Sequence, residues 1–180
     1  MQNMKHKIFV DMDGVLVDFE SAFIKKYGKL PDELIKEVGK KVFYREYSNT
    51  LPIVFWANLQ WMQGGRELWK HVSQYNPTIL STPTADPQNK CIHGKLIWLQ
   101  RELGLHEKPI LSPKKYDGTG RIILAPMKYL FILDDPSKNI LIDDREKILI
   151  PWREKGAIGI QHDPRNVKKT ISTLEDILQT

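Results

Sequence analysis

Two aspartates stand two residues apart at the end of an apolar run in Val10-Asp11-Met12-Asp13-Gly14-Val15. Side chains alternate along a strand, so carboxylates at i and i+2 can face one pocket where the strand opens into a loop. Such a pair suits cleavage of a phosphate ester. One carboxylate attacks phosphorus and carries an aspartyl-phosphate, while the other protonates the leaving oxygen and later takes a proton from water. Asp11 fits the first role and Asp13 the second. Two adjacent acids resist double ionisation, which favours one of them holding a proton. Gly14 lets the backbone approach the phosphate oxygens.

Three further pieces could complete such a site. Ile79-Leu80-Ser81-Thr82-Pro83 sets hydroxyls at another strand end, where they and the nearby amides can donate to a phosphate. Lys128 follows the run from Arg121 to Leu124 and could neutralise phosphate charge and hold the attacking carboxylate ready. Ile140-Leu141-Ile142-Asp143-Asp144-Arg145 again ends an apolar run in two acids. Hard oxygen ligands beside a phosphate point to Mg²⁺, which needs only one or two carboxylates and offsets the repulsion between Asp11 and a dianion. The expected metal set is Asp11, Asp13, Asp143 and Asp144. A competing run, Phe131-Ile132-Leu133-Asp134-Asp135-Pro136, also ends in two aspartates, but it leads into a proline loop rather than a helix and a further strand.

Positioning these residues requires a sheet whose strand ends converge. The apolar runs predict strands over 7–11, 78–81, 122–124, 139–143 and 157–160. Between them lie helical patterns. Several short helices are expected over 18–55, one opened by Gly64-Gly65, one from Pro87 to Leu103 closed by Gly104, one through Trp152, and a last from Val167 to Leu178. Strands alternating with helices predict an α/β fold with a mostly parallel sheet. In such sheets ligands bind beyond the carboxyl ends of the strands.

Composition places limits on the rest. The 180 residues, 41% hydrophobic and 27% charged, suit one domain with a core and a small insertion. No stretch approaches the roughly 20 apolar residues of a membrane span. Met1 to Lys7 leads into a strand-like run rather than a signal-peptide core, so a cytoplasmic location is expected. The single cysteine, Cys91, reads as a helix-packing residue. A net charge of +5 suits anionic substrates and leaves nucleic acid open as a partner.

Taken together, Asp-x-Asp-Gly-Val, Ser-Thr-Pro, Lys128 and Ile-Asp-Asp resemble the four ordered motifs of the haloacid dehalogenase-like phosphatase superfamily. The likeness is closer still to its 5'(3')-deoxyribonucleotidase branch and to related phage and bacterial nucleotidases. Asp11 through Glu20, the segment Phe55 to Gly64, and Gly156 to Ile160 are similar to that branch. The resemblance implies a Rossmann-like three-layer core, 1–17 and 76–180, with a small helical cap, 18–75, inserted after the first strand. It implies Asp11 as nucleophile, Asp13 as acid/base and, through its carbonyl, a metal ligand. Gly14, Ser81, Thr82 and Lys128 would bind phosphate, and Mg²⁺ would sit within Asp143-Asp144. Lys138 and Arg121 are the alternative cations, because the gap from Lys128 to Asp143 is long. Phe19 and Trp56 are the aromatics expected to contact a base, although aromatics at such spacing also build cores. The expected substrate is a (deoxy)nucleoside monophosphate. The alternatives are nucleic-acid ends, a non-nucleotide metabolite, or a non-catalytic nucleotide-binding domain.

Overall fold

The computed structural model describes residues 6–179. The segment before His6, part of the stretch read above for a signal peptide, lies outside the described residues. Five strands form one sheet: β1 (Lys7–Val10), β2 (Thr78–Ser81), β3 (Ile122–Leu124), β4 (Asn139–Asp143) and β5 (Ile158–Gln161). Their order is β3-β2-β1-β4-β5 and each pairing is parallel. The helices, in chain order, are α1 (Phe19–Tyr27), α2 (Pro31–Val38), α3 (Lys40–Val42), α4 (Ile53–Ala57), α5 (Gly65–Val72), α6 (Lys90–Leu103), α7 (Glu146–Glu154) and α8 (Val167–Leu178). A π-helical turn covers Phe43–Ser48. This is the expected Rossmann-like α/β architecture.

Every residue of β2 and β4 is buried, as parallel strands covered on both faces require. Phe9, Leu80, Ile123 and Leu141 pack with Leu149 and Trp152 into one cluster. The ring of Trp152 stands edge-on to Phe9 at 5.3 Å, and its Nε1 donates to Ile158 O at 3.0 Å. The strand order reverses at β1. The chain winds outward through β2 and β3, then returns to place β4 on the other side of β1. The crevice between the carboxyl ends of β1 and β4 is therefore the switch point where open parallel sheets bind ligands.

The chain separates into two compact units. One comprises Met1–Val17, Trp61–Thr82 and Glu107–Thr180, and the other Asp18–Gln60 and Pro83–His106. The helical unit thus shares 18–60 with the insertion expected from sequence. It differs from that expectation in leaving 61–75 with the sheet and in taking up α6. The physical reason for the second difference is Gly94. A Cβ there would stand 2.3 Å from Trp56 Cβ and 2.6 Å from Ile53 O, so only glycine lets α6 lie this close to α4. Trp98 Nε1 then donates to Leu59 O at 2.9 Å. The predicted start of α6 at Pro87 also moves to Lys90. The Asp86 carboxylate accepts from the amides of Gln88 and Lys90, and Asn89 turns left-handed at φ 53°. No helix among the described residues is long and apolar enough to cross a membrane.

Candidate active site

β1 ends at Val10, and the next amide, Asp11 N, still donates to Ile142 O at 3.0 Å. This extra rung holds Asp11 beside the end of β4, where Asp143 is the last strand residue. Both carboxylates are buried, 1% and 0% exposed. Beyond Asp11 the chain curls tightly: the amides of Val15, Leu16 and Val17 all point to Met12 O, and Gly14 N donates to Val17 O at 2.9 Å. The curl needs Gly14. Its φ is +80°, and a Cβ would stand 2.4 Å from Asp144 Oδ2.

Lys128 joins the two acids. Its Nζ lies 2.8 Å from Asp11 Oδ1 and 2.7 Å from Asp143 Oδ2, with the side chain 2% exposed. It opens a short 3₁₀ turn, Lys128–Phe131, after β3. Met127, just before it, adopts a left-handed φ of 55°, uncommon for such a residue. Of the other cations considered from sequence, Lys138 pairs with Asp135 at 3.0 Å on the surface and Arg121 donates to Pro77 O at 3.4 Å. Asp134 and Asp135 are exposed, and Asp135 precedes a 3₁₀ turn at Pro136–Lys138 rather than ending a strand.

Arg145, which sequence reasoning gave no role, crosses the acids from the other side. Its amide donates to Asp143 Oδ1 at 3.0 Å. Its guanidinium stands 3.9 Å from each of Asp11 Oδ2, Asp143 Oδ1 and Asp144 Oδ1. Its position directly after the two acids was the only available signal. Asp11, Asp143 and Asp144 each bring an oxygen within 4.8 Å of the others. The carboxylate of Asp13 does not belong to that group.

Crowding shows in the titration of these acids. Burial, then the charge of Asp11, pushes Asp143 above the ordinary carboxylate range, against the pull of Lys128. Burial, then Asp11 and Asp143, pushes Asp144 up to about 7, against Arg145. Asp144 Oδ1 is buried and accepts no hydrogen bond. Three converging carboxylates, an oxygen without a donor, and acids reluctant to ionise fit a hard divalent cation such as Mg²⁺.

The second expected phosphate element sits on the neighbouring strand. Ser81 ends β2 with its side chain buried. Ala125 N donates to Ser81 O at 3.1 Å and Thr82 Oγ1 to Ala125 O at 3.4 Å, tying the loops after β2 and β3 together. Phe19 and Trp56 lie in the helical unit, where their rings stack at 5.4 Å and 10°, with Trp56 only 2% exposed. Cys91 is buried on α6.

No family model matches the sequence, and no curated protein does. Among solved structures, the chain is similar to a HAD-superfamily hydrolase from Ehrlichia chaffeensis, at 14% identity over 99% of each chain with a TM-score of 0.48. It is similar to a HAD family enzyme from Bacteroides thetaiotaomicron, at 14% identity over 88% of this chain and 94% of that one, TM-score 0.47. A haloacid dehalogenase-like hydrolase from Streptococcus pneumoniae matches at 18% identity over 87% of this chain and 83% of that one, TM-score 0.47. Likeness this distant transfers no chemistry from those proteins to this one.

Proposed function

We propose that the protein is a Mg²⁺-dependent phosphomonoester hydrolase that works through an aspartyl-phosphate on Asp11, with a (deoxy)nucleoside monophosphate as substrate. The observation that carries this reading is the meeting of Asp11, Lys128, Asp143 and Asp144 at the ends of β1 and β4, with Lys128 Nζ 2.8 Å from Asp11 Oδ1. The nucleotide part rests on the sequence resemblance of Asp11 through Glu20 and of Phe55 through Gly64.

In this scheme Lys128 keeps Asp11 ionised and fixes its direction. A carboxylate oxygen of Asp11 attacks phosphorus as the ester P–O bond breaks, and Asp13 delivers its proton to the departing oxygen. Asp13, now a carboxylate, takes a proton from water. The water oxygen bonds to phosphorus, the Asp11–phosphorus bond breaks, and both aspartates return to their starting states. The Gly14 amide and the hydroxyls of Ser81 and Thr82 bind the non-bridging oxygens. Asp11, Asp143, Asp144 and the Asp13 carbonyl would hold Mg²⁺, which supplies the positive charge that lets a phosphate dianion approach a carboxylate. Phe19, more accessible than Trp56, is the better candidate to present a ring face to a base.

The test is phosphate release from a panel of nucleoside 5'- and 3'-monophosphates in Mg²⁺. Turnover should vanish in Asp11→Asn and fall about 10²–10⁴-fold in Asp13→Asn, the usual scale of a lost general acid. Turnover no greater than that of Asp11→Asn across the panel rejects the proposal. The net charge of +5 supports one other reading, a phosphatase of polynucleotide ends. It requires oligonucleotide binding that falls steeply with salt.

A further inference from the structure

Next to Asp144, between the end of β5 and the start of α8, the sheet unit forms an open cavity of about 570 Å³. His162, Asp163, Arg165 and Lys169 line it together with Asp144. His162 follows β5 directly and is only 3% exposed. Its Nδ1 lies 2.9 Å from Thr170 Oγ1, whereas its Nε2 is buried and makes no hydrogen bond. A buried polar atom without a partner is costly, and a ligand in the cavity would relieve that cost.

The charges on α8 point the same way. A helix start carries the positive end of the backbone dipole, so folding favours acids in the first turn and bases in the last. Helix α8 does the opposite. Arg165, Lys168 and Lys169 gather at its start with no acid in the first turn, while Glu175 and Asp176 lie towards its end. Folding alone gains nothing from this polarity; the Asn166 side chain already caps the Lys169 amide, so an anion held there gains from the helix dipole and from the basic side chains. Of the two acids on the wall, Asp163 is already taken by Arg165, whose Nε and Nη2 each lie 2.9 Å from its carboxylate. Asp144 belongs to the acid cluster. Lys169 makes no ion pair with the described residues and remains available.

We infer that this cavity is a second anion subsite, adjoining the acid cluster through Asp144 and taking a phosphoryl group other than the one hydrolysed. The substrate it would serve rests on the phosphomonoesterase reading and is a nucleotide carrying two separate phosphates, such as a nucleoside 3',5'-bisphosphate. Free inorganic phosphate offers the same chemistry.

The experiment follows the His162 imidazole by NMR while the full-length protein is titrated with inorganic phosphate, its signals assigned with His162→Gln. Calorimetry then compares adenosine 3',5'-bisphosphate with adenosine 5'-monophosphate on the wild type and on Lys169→Gln. The His162 signals should shift and saturate. The bisphosphate should bind about 10-fold more tightly or better, the scale of a hydrogen bond to a charged group, and lose that margin in Lys169→Gln. A His162 response without the bisphosphate margin supports the subsite and assigns it to free phosphate. A silent His162 with equal affinities overturns it. Failure of the phosphatase reading is distinct: no phosphate is released from any monoester in Mg²⁺ while His162 still responds.

Discussion

Replacing Lys128 with methionine keeps the length of the side chain and removes one charge from a buried cluster. In the wild type its Nζ bridges Asp11 and Asp143 at 2.8 and 2.7 Å, and all three side chains are at most 2% exposed. Losing one partner of a buried ion pair costs about 3–5 kcal/mol, because the remaining charge stays desolvated. Two circumstances hold the figure near the lower bound. Arg145 still faces both acids at 3.9 Å. Asp143, already raised by burial and by Asp11, can also take up a proton. A loss of about 3 kcal/mol in a chain of this size corresponds to a fall in Tm of about 6–12 °C. Thermal unfolding in EDTA measures it. Two further results should accompany the fall. The deficit should shrink from pH 8 to pH 5, as protonation relieves the acids left facing each other. Added Mg²⁺ should raise Tm more in Lys128→Met than in the wild type, because a cation that binds the folded state competes with one positive charge fewer. A fall of less than about 2 °C in EDTA, with equal Mg²⁺ shifts in both proteins, would refute the claim that these acids are held together by a single buried lysine.

Gly14→Ala combines a positive φ with a Cβ 2.4 Å from Asp144 Oδ2. It should cost about 1–3 kcal/mol in denaturant unfolding and weaken Mg²⁺ binding measured by calorimetry, since Asp144 must move. Asp144 titrates at about 7 without metal, and a metal ligand must be deprotonated. Mg²⁺ affinity should therefore fall as pH drops below 7, by up to about tenfold per pH unit, with proton release visible as a buffer-dependent heat. The same raised value means that metal-free stability declines as pH rises from about 4 to about 7, where the unfolded chain has lost a proton that the folded state keeps. Gly94→Ala should force α6 away from α4 and destabilise by about 1–3 kcal/mol, read as a lower midpoint in urea.

Much of this arrangement was legible in the sequence. Strands β2, β3 and β4 begin and end where the apolar runs do, because strands buried on both faces leave no polar residue inside the run to blur the limits. The meeting of Asp11 with Asp143 was legible for the same reason: each is the first acid after such a run. The distinction between Asp143 and Asp135 followed from what comes next in the chain, a helix for one and Pro136 for the other. What stayed hidden depends on contacts across long sequence distances. The place of α6 rests on the absence of a Cβ at Gly94, which no periodicity records. Its first turn depends on a carboxylate four residues upstream of Lys90. The role of Arg145 rests on a guanidinium folding back over Asp11, which lies far away in the sequence, as well as over its neighbours Asp143 and Asp144. His162 and the reversed polarity of α8 have plain sequence correlates, an isolated histidine and two lysines at a helix start, but neither means anything until β5 and α8 bring them to one hollow.

The pairing of Val10 with Ile142 sets a scale for the chemistry. Asp11 and Asp143 each stand one step past that rung. A slip of a single residue between β1 and β4 would carry one carboxylate about 3.3 Å along the sheet and turn it to the opposite side. Ile140, Leu141 and Ile142 carry no acid, yet they are the gauge that spaces Asp11 from Asp143. Trimming them should blur the alignment of the acids before it unfolds the protein, so on the phosphatase reading the earliest sign of a loosened interior would be slower phosphate release rather than lost solubility.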